Sequence, residues 1–121
     1  MAGKNETTDC VFCKIAAGAI PAEFVYRDDE VFVIRDLSPQ APTHLLIIPV
    51  RHVESAAFAD GPTWVTVMGR AEETARSLGL MGKGDRDGFR LVINTGAQSG
   101  QSVPHLHVHL LAGRAFDWPP G

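Results

Sequence analysis

The sequence lacks the features that would indicate a membrane, secretory or nucleic-acid-binding protein. No apolar run approaches the roughly 20 residues that span a bilayer, and the opening segment, MAGKNETTD, is polar where a secretory signal would be apolar. The formal net charge is −3, and the lysines and arginines are scattered instead of forming a basic stripe. We therefore expect a cytoplasmic location, with no membrane partner and no nucleic-acid partner.

Cysteine is scarce, since the chain has only Cys10 and Cys13, in a C-x-x-C arrangement. In a reducing compartment such a pair more often binds a metal or performs redox chemistry than forms a structural disulfide. A further interpretation is that the two cysteines are buried thiols with no shared function. No βαβ pattern of the thioredoxin kind surrounds the pair, which leaves the redox interpretation without local support.

The chain has enough apolar sequence for one compact domain. It contains 121 residues, of which 45% are hydrophobic, and this length supports a single core. We predict a flexible N-terminal tail at residues 1–8 and a single domain at residues 9–121.

The hydrophobic periodicity predicts five strands and two helices. A short helix through CVFCKIAA would be capped by Thr8 or Asp9 and ended by Gly18. Strands are predicted in EFVYRD, EVFVIRDL, HLLIIPV, FRLVIN and a histidine-rich run near the C-terminus. The apolar face of one long helix would consist of Trp64, Val67, Met68, Ala71, Ala75 and Leu78. The predicted class is α+β, with a mainly antiparallel sheet of about five strands, one long helix and one short helix.

The histidine-rich run, PHLHVHLL at residues 104–111, alternates polar and apolar residues. In a strand this period places His105, His107 and His109 on one face, while Leu106, Val108 and Leu110 pack into the core. Three adjacent imidazolium charges would repel one another, so at least some of these rings should be neutral at pH 7. The residues alone leave two chemistries open, a three-histidine metal site and metal-free nucleophilic catalysis.

Several motifs together carry a family resemblance. HLHVHLL matches the H-φ-H-φ-H-φ-φ signature (φ, hydrophobic) of the histidine triad, or HIT, superfamily. With DLSPQAPTHLLIIP at 36–49, GQSVPHLHVHLLAGR at 100–114 and WPPG at 118–121, the chain resembles the Hint branch, the nucleoside phosphoramidases. The C-x-x-C pair is similar to that of the zinc-containing members. Pro104 departs from the pattern, because many relatives have an aromatic residue there.

The resemblance implies an enzyme that cleaves the P–N bond of adenosine or guanosine 5′-phosphoramidates through a covalent nucleotidyl-histidine. It assigns the nucleophile to His107 and places His109 and Ser102 at the phosphate and the leaving group. His44 would fix the orientation and tautomer of His107 through a hydrogen-bonded chain. These four residues form the implied catalytic set.

The resemblance also implies a nucleotide-binding set. Asp36 would accept hydrogen bonds from the ribose hydroxyls, Asn94 would lie near the ribose, and the loop Gly100–Val103 would cradle the phosphate. Apolar residues would sandwich the purine. The full set is Asp36, Asn94, Gly100, Gln101, Ser102, Val103, His109, Phe12, Ile15, Ile20 and Leu37.

A structural zinc ion is implied as cofactor, with no organic cofactor. Its ligands by resemblance are Cys10, Cys13, His52 and His105, which leave no open coordination position and would pin the N-terminal helix to the catalytic strand. The implied partners are a purine nucleotide and a second copy of the chain, with Trp118 near the partner's site. Alternatives are a dinucleoside polyphosphate hydrolase and a zinc-stabilised nucleotide-binding or interaction module with little catalysis.

Overall fold

The computed structural model describes residues 9–121, so the predicted flexible tail at residues 1–8 lies outside the described residues. The two α-helices are α1 (Val11–Ala17) and α2 (Gly61–Ser77). The strands are β1 (Phe24–Arg27), β2 (Val31–Arg35), β3 (Thr43–Pro49), β4 (Arg90–Val92) and β5 (Val108–Ala112). The predicted α+β class, with five strands, one long helix and one short helix, is confirmed.

The five strands form one antiparallel sheet in the order β1-β2-β3-β5-β4. The last strand of the chain therefore lies inside the sheet, between β3 and the edge strand β4. In the register of β3 and β5, His44 lies opposite Leu111 and Leu46 lies opposite His109. Directly paired residues share a face, so these four side chains lie on the same side of the sheet.

Each face of the sheet is covered by one helix. Helix α2 covers one face. The core between this helix and the sheet consists of Val31, Val33, Leu45, Ile47, Val67, Ala71, Ala75, Val108, Leu110 and Ala112. Helix α1 covers part of the other, with a core of Cys10, Phe12, Cys13, Ile15, Phe32, Ile34, Leu46 and Ile48. The α1 face is the one that carries His109. Because α1 is short, it leaves room for a cleft beside it.

Helix α1 begins one residue later than predicted. Its N-cap is Cys10, whose Sγ accepts a hydrogen bond from the Cys13 backbone N–H, so the predicted cap at Asp9 is wrong. Thr8, the other predicted cap, lies outside the described residues. The helix ends as predicted at Gly18, which has the left-handed φ of 83° that glycine adopts without steric cost.

The buried side of α2 is shorter than the predicted apolar stripe. Val67, Ala71 and Ala75 are fully buried, but Leu78 is 46% exposed because it lies just after the end of the helix. Among the described residues, no helix is both long and apolar enough to cross a membrane.

The predicted strand through all three histidines of the run is partly wrong, because β5 begins only at Val108. The preceding segment bonds outside the sheet ladder: the Leu106 N–H donates to the Val53 carbonyl, and the His105 ring donates to the Pro49 carbonyl at 2.8 Å. Pro104 has no N–H to contribute. Leu106, Val108 and Leu110 are buried as predicted, but His105 and His107 are buried too, so burial does not alternate along this segment.

Candidate active site and metal centre

Four candidate metal ligands converge where α1 meets the segment before β5. The Sγ atoms of Cys10 and Cys13 and the Nδ1 atoms of His52 and His105 all lie within 4.8 Å of one another. Cys10 Sγ and His105 Nδ1 are 3.2 Å apart, as are Cys13 Sγ and His52 Nδ1, and the two Nδ1 atoms are 3.1 Å apart. Zn–S and Zn–N bonds in a tetrahedron separate neighbouring ligand atoms by about 3.3 to 3.8 Å. The spacing of the four atoms is close to that of a zinc cage.

The protonation state of His105 suits a metal ligand. A carbonyl can only accept, so His105 Nε2 carries the proton that bonds to Pro49, and Nδ1 keeps its lone pair toward the thiols. The pKa of His105 is lowered to about 4, first by burial and then by the positive charges of neighbouring histidines, with the bond to Pro49 opposing the shift. The ring is therefore neutral at pH 7.

The two thiols also fit a bound cation. Both cysteines are free and buried. Burial, followed by the neighbouring Cys10, raises the pKa of the Cys13 thiol to about 12. A cation between the two sulfurs would reverse this, because thiolates are the form that binds metal and their mutual repulsion would be neutralised. Two sulfurs and two imidazole nitrogens are a ligand set that zinc favours.

A second cluster, of Asp36, His44 and His109, also has ligand atoms within 4.8 Å of one another. In this cluster, hydrogen bonds determine which nitrogen of each histidine ring carries the proton. The Gln40 backbone N–H donates to His44 Nδ1 at 3.0 Å, so His44 carries its proton on Nε2 and donates it to His109 Nδ1 at 2.9 Å. The two facing nitrogens, His44 Nε2 and His109 Nδ1, are therefore joined by a hydrogen bond. The cluster is a hydrogen-bonded chain and not a second metal cage.

The predicted role of His44 toward His107 is wrong in this structure, because the hydrogen bond of His44 goes to His109. The β3–β5 register explains this partner. Since His109 lies opposite Leu46, it is the diagonal neighbour of His44, whereas His107 lies two residues earlier in the chain, before β5 begins, and is farther from His44.

His107 obtains its tautomer from its own backbone neighbourhood. Its Nδ1–H donates to the His105 carbonyl at 2.7 Å, so Nε2 is the nitrogen that can present a lone pair. The side chain is buried, with its ring centre 5.2 Å from that of Phe12 and 5.1 Å from that of His109. The packing fixes the ring while one nitrogen remains available as a nucleophile.

His109 is a neutral donor beside His107. Burial is the main cause that lowers its pKa to about 4; the charges of His107 and His44 add to the shift, and Asp36 opposes it. Because His109 Nδ1 accepts a hydrogen bond from the His44 Nε2–H, its own proton lies on Nε2. The arrangement combines one imidazole with a free lone pair and one with a free N–H.

The rings of His107 and His109 line a cleft of about 370 Å³ between α1, the ends of β2 and β4, and the loop before β5. The cleft brings together ten of the predicted site residues: Phe12, Ile15, Asp36, Leu37, Asn94, Gly100, Ser102, Val103, His107 and His109. One Asp36 oxygen accepts the Ser38 N–H, and the other lies 3.4 Å from His44 Nε2. Leu37 is 99% exposed at the rim.

Two residues of the predicted nucleotide-binding set do not line the cleft. Ile20 packs against the α1-side core. The Gln101 side chain bonds to backbone, accepting from the Gly96 N–H and donating to the carbonyls of Glu54 and Val103. Gln101 therefore closes the loop that carries Gly100 and Ser102, and its amide is committed there.

The sequence reasoning missed some residues at this site. Ile34 and Leu46 line the cleft, and their pairing across β2 and β3 on the histidine face was the available signal. Val11 and Arg35 also line it. Nothing in the sequence indicated a role for Gln40, because it acts through a backbone N–H that every residue except proline possesses.

Comparison with known proteins agrees with this architecture. The family model for the HIT domain matches residues 17–116. A 14 kDa zinc-binding protein of Brassica juncea is 44% identical over 93% of this chain and 100% of its own length. Adenylylsulfatase HINT1 of Arabidopsis thaliana is 39% identical over 100% of this chain and 82% of its own length.

A solved structure gives the same result. The HIT family hydrolase from Legionella pneumophila Philadelphia 1 has a TM-score of 0.86 and 43% identity, covering 93% of this chain and 100% of its own. The predicted resemblance is thereby confirmed, and the zinc-binding relative supports zinc at the Cys2His2 cluster. The chain belongs to the HIT domain family, and an adenylylsulfatase and a HIT family hydrolase are among its relatives.

Proposed function

We propose that residues 9–121 form a single domain that hydrolyses the P–N bond of purine nucleoside 5′-phosphoramidates through a nucleotidyl-histidine intermediate. The observation that carries this proposal is the tautomer of His107: its Nδ1–H is held by the His105 carbonyl, so Nε2 is free to attack. A metal-free imidazole with a fixed lone pair is suited to covalent catalysis. The adenylylsulfatase among the relatives supports the transfer of an adenylyl group.

In the first step, His107 Nε2 forms a bond to the α-phosphorus while the bond from phosphorus to the amine nitrogen breaks. The amine must leave protonated, because an amide anion is a very poor leaving group, and the Ser102 hydroxyl is the proposed donor. Water then attacks the phosphorus and gives a proton back to the Ser102 oxygen, the P–N bond to His107 breaks, and the nucleoside monophosphate is released. The ring regains its lone pair.

Stabilisation of the phosphate is assigned to His109 and the loop. The Nε2–H of neutral His109 donates to a phosphate oxygen, together with the backbone N–H groups of Ser102 and Val103. Within the segment Gly100–Val103, the N–H groups of Gly100 and Gln101 instead donate to the Ala97 and Gly96 carbonyls. Gly100 has a φ of 86°, a conformation that glycine adopts readily and that turns the backbone at the cleft. The cradle is thus made of donors that carry no full positive charge.

The nucleoside is proposed to bind between α1 and the end of β2. The Asp36 oxygen that faces the histidines is the acceptor for the ribose hydroxyls, with Asn94 nearby in the same cleft. Phe12, Ile15 and Leu37 supply an apolar slot for the base. A slot with few contacts to the base edge predicts modest discrimination between adenine and guanine.

For zinc, we propose a structural role. Four protein ligands complete a tetrahedron and leave no position for an activated water. Bound zinc would neutralise the thiolates and tie α1 to the segment before β5. Because the cage requires reduced thiols, we also propose a cytoplasmic location for the protein.

We further propose a homodimer formed through α2 and the sheet edge, with Trp118 near the partner's site. Val65 on α2 is 75% exposed and Trp118 is 82% exposed, and both are large apolar side chains. Trp118 lies beside the edge strand β4, where it lines a second cleft with Leu91 and Val92. A second copy would cover these surfaces.

Removing the nucleophile tests the reaction. His107→Ala should lower kcat/KM for adenosine 5′-phosphoramidate by roughly 10³-fold or more, because no other group in the cleft has a free imidazole lone pair. His107→Asn is the matched control, since its amide N–H can still bond to the His105 carbonyl but cannot attack phosphorus, and it should be equally inactive. Wild type quenched in denaturant at alkaline pH, where the acid-labile P–N bond to imidazole survives, should carry an AMP adduct on His107 by mass spectrometry. An adduct elsewhere, or faster cleavage of a diadenosine polyphosphate, would contradict the proposal.

The neutral state of His109 predicts how stability depends on pH. Between pH 6.5 and 4 the unfolded chain binds a proton at this residue and the folded chain does not, so the free energy of unfolding falls as the pH drops. The contribution reaches up to about 3 kcal/mol, at 1.36 kcal/mol per pKa unit. Urea denaturation of the wild type and of His109→Gln from pH 7.5 to 4 measures it, because contributions of the metal cage cancel in the difference. Parallel pH curves for the two proteins would contradict the prediction.

Zinc removal tests the structural role. Protein purified without chelators should contain about one zinc per chain, and EDTA should lower its Tm by more than about 5 °C, since the cage joins α1 to the sheet. Cys13→Ser removes one ligand and should make the Tm insensitive to EDTA. Wild type without zinc, or a chelator effect of the same size in Cys13→Ser, would argue against a zinc cage.

The dimer proposal is tested by sedimentation. At micromolar concentration the wild type should sediment at twice its chain mass of 13.1 kDa. Val65→Lys places a charge on the proposed interface and should shift the protein toward monomer. Val25→Lys is the control, because Val25 lies on β1, at the opposite edge of the sheet. A monomeric wild type would rule the proposed dimer out.

A further inference from the structure

Gln40, in the loop between β2 and β3, is held at both ends of its backbone. Its N–H donates to His44 Nδ1 at 3.0 Å, and its carbonyl accepts from Arg114 Nε at 3.0 Å. Arg114 belongs to the segment that follows β5. A single residue therefore connects the C-terminal segment to a buried histidine.

The connection continues from His44 into the cleft. His44 Nε2 donates to His109 Nδ1 at 2.9 Å, and the His109 ring lines the cleft. The first bond fixes the direction of the whole chain, because a backbone N–H can only donate and so obliges each ring in turn to accept on Nδ1. The order is Arg114, Gln40, His44, His109.

Arg114 is itself fixed on the protein surface. Its guanidinium lies 4.2 Å from the centre of the Phe116 ring, and Nη1 donates to the Ala115 carbonyl at 3.0 Å. The preceding residue, Gly113, has a φ of 96°, and a Cβ added there would lie 2.8 Å from Pro42 Cβ. Only glycine allows the segment after β5 to lie this close to the loop that holds Gln40.

We propose that Arg114 is a positioning residue that holds the Gln40 backbone and thereby selects the tautomers of His44 and His109. If Gln40 moved away, His44 could carry its proton on Nδ1 and accept on Nε2. His109 would then donate from Nδ1 and turn a lone pair, not an N–H, toward the substrate phosphate. A lone pair facing an anionic oxygen is repulsive, so the selected tautomer favours catalysis. This consequence for turnover rests on the proposed function.

Two arginines that both touch Phe116 provide a matched comparison. Arg90 lies 4.9 Å from the Phe116 ring centre and donates to the Asp117 carbonyl, whereas Arg114 bonds to Gln40. Arg114→Met and Arg90→Met therefore remove the same charge and the same kind of stacking from one segment. Arg114→Lys keeps the charge but lacks the Nε–H, so the result does not depend on the Met variant folding.

The first readout is the ring 15N chemical shifts of the ligand-free proteins, from long-range 1H–15N NMR at neutral pH. In the wild type, His44 and His109 should each show a protonated Nε2 and an unprotonated Nδ1. Both Arg114 variants should show these shifts averaged toward a tautomer mixture, while Arg90→Met should retain the wild-type values. Turnover of adenosine 5′-phosphoramidate should fall about fivefold in kcat for the Arg114 variants, the effect of one neutral hydrogen bond, with KM little changed.

The outcomes separate this inference from the proposed function. Unchanged shifts in both Arg114 variants, or equal changes in Arg90→Met, would overturn the positioning role whatever the turnover. Changed shifts with wild-type kcat would overturn its importance for the reaction. If the wild type cleaved no phosphoramidate, the proposed function would fail, and the NMR comparison would still decide whether Arg114 selects the tautomers.

Discussion

One residue, His105, connects the Cys2His2 cluster to His107, the proposed nucleophile. Its Nδ1 faces the two thiols, its Nε2 donates to Pro49, and its backbone carbonyl accepts the Nδ1–H of His107. A displacement of His105 would therefore disturb the ligand geometry and the His107 tautomer together. The alternation of histidines in the sequence places these two functions two residues apart, close enough for a single peptide carbonyl to join them.

Both histidines in the cleft have tautomers that are set by backbone groups. A carbonyl selects Nδ1–H in His107, and a backbone N–H acting through His44 selects the opposite tautomer in His109. Burial lowers the pKa of His109, so the ring stays neutral beside His107 at pH 7. Two identical side chains thus receive opposite chemical properties, a lone pair in one and a donor in the other, without any change of net charge.

The sequence predicted the features that depend on local pattern. The burial of Val108 and Leu110 in β5 and the end of α1 at Gly18 follow from side-chain alternation and backbone conformation. The partner of His44 could not be predicted, since it depends on the register between β3 and β5, strands that are distant in the chain. The late start of β5 and the role of Gln40 depend on backbone hydrogen bonds, which leave no trace in residue identity.

The metal cage has a consequence for the cleft because α1 is so short. Seven residues form a helix that is not stable by itself in water, so its position depends on what holds its ends. Its N-terminal end carries Cys10 and Cys13, and between them Phe12 packs edge-on against the rings of both His105 and His107. The residues that would hold a metal therefore also hold one wall of the cleft against the nucleophile. A structural metal at the Cys2His2 cluster would therefore act on the proposed reaction through the placement of the Phe12 ring.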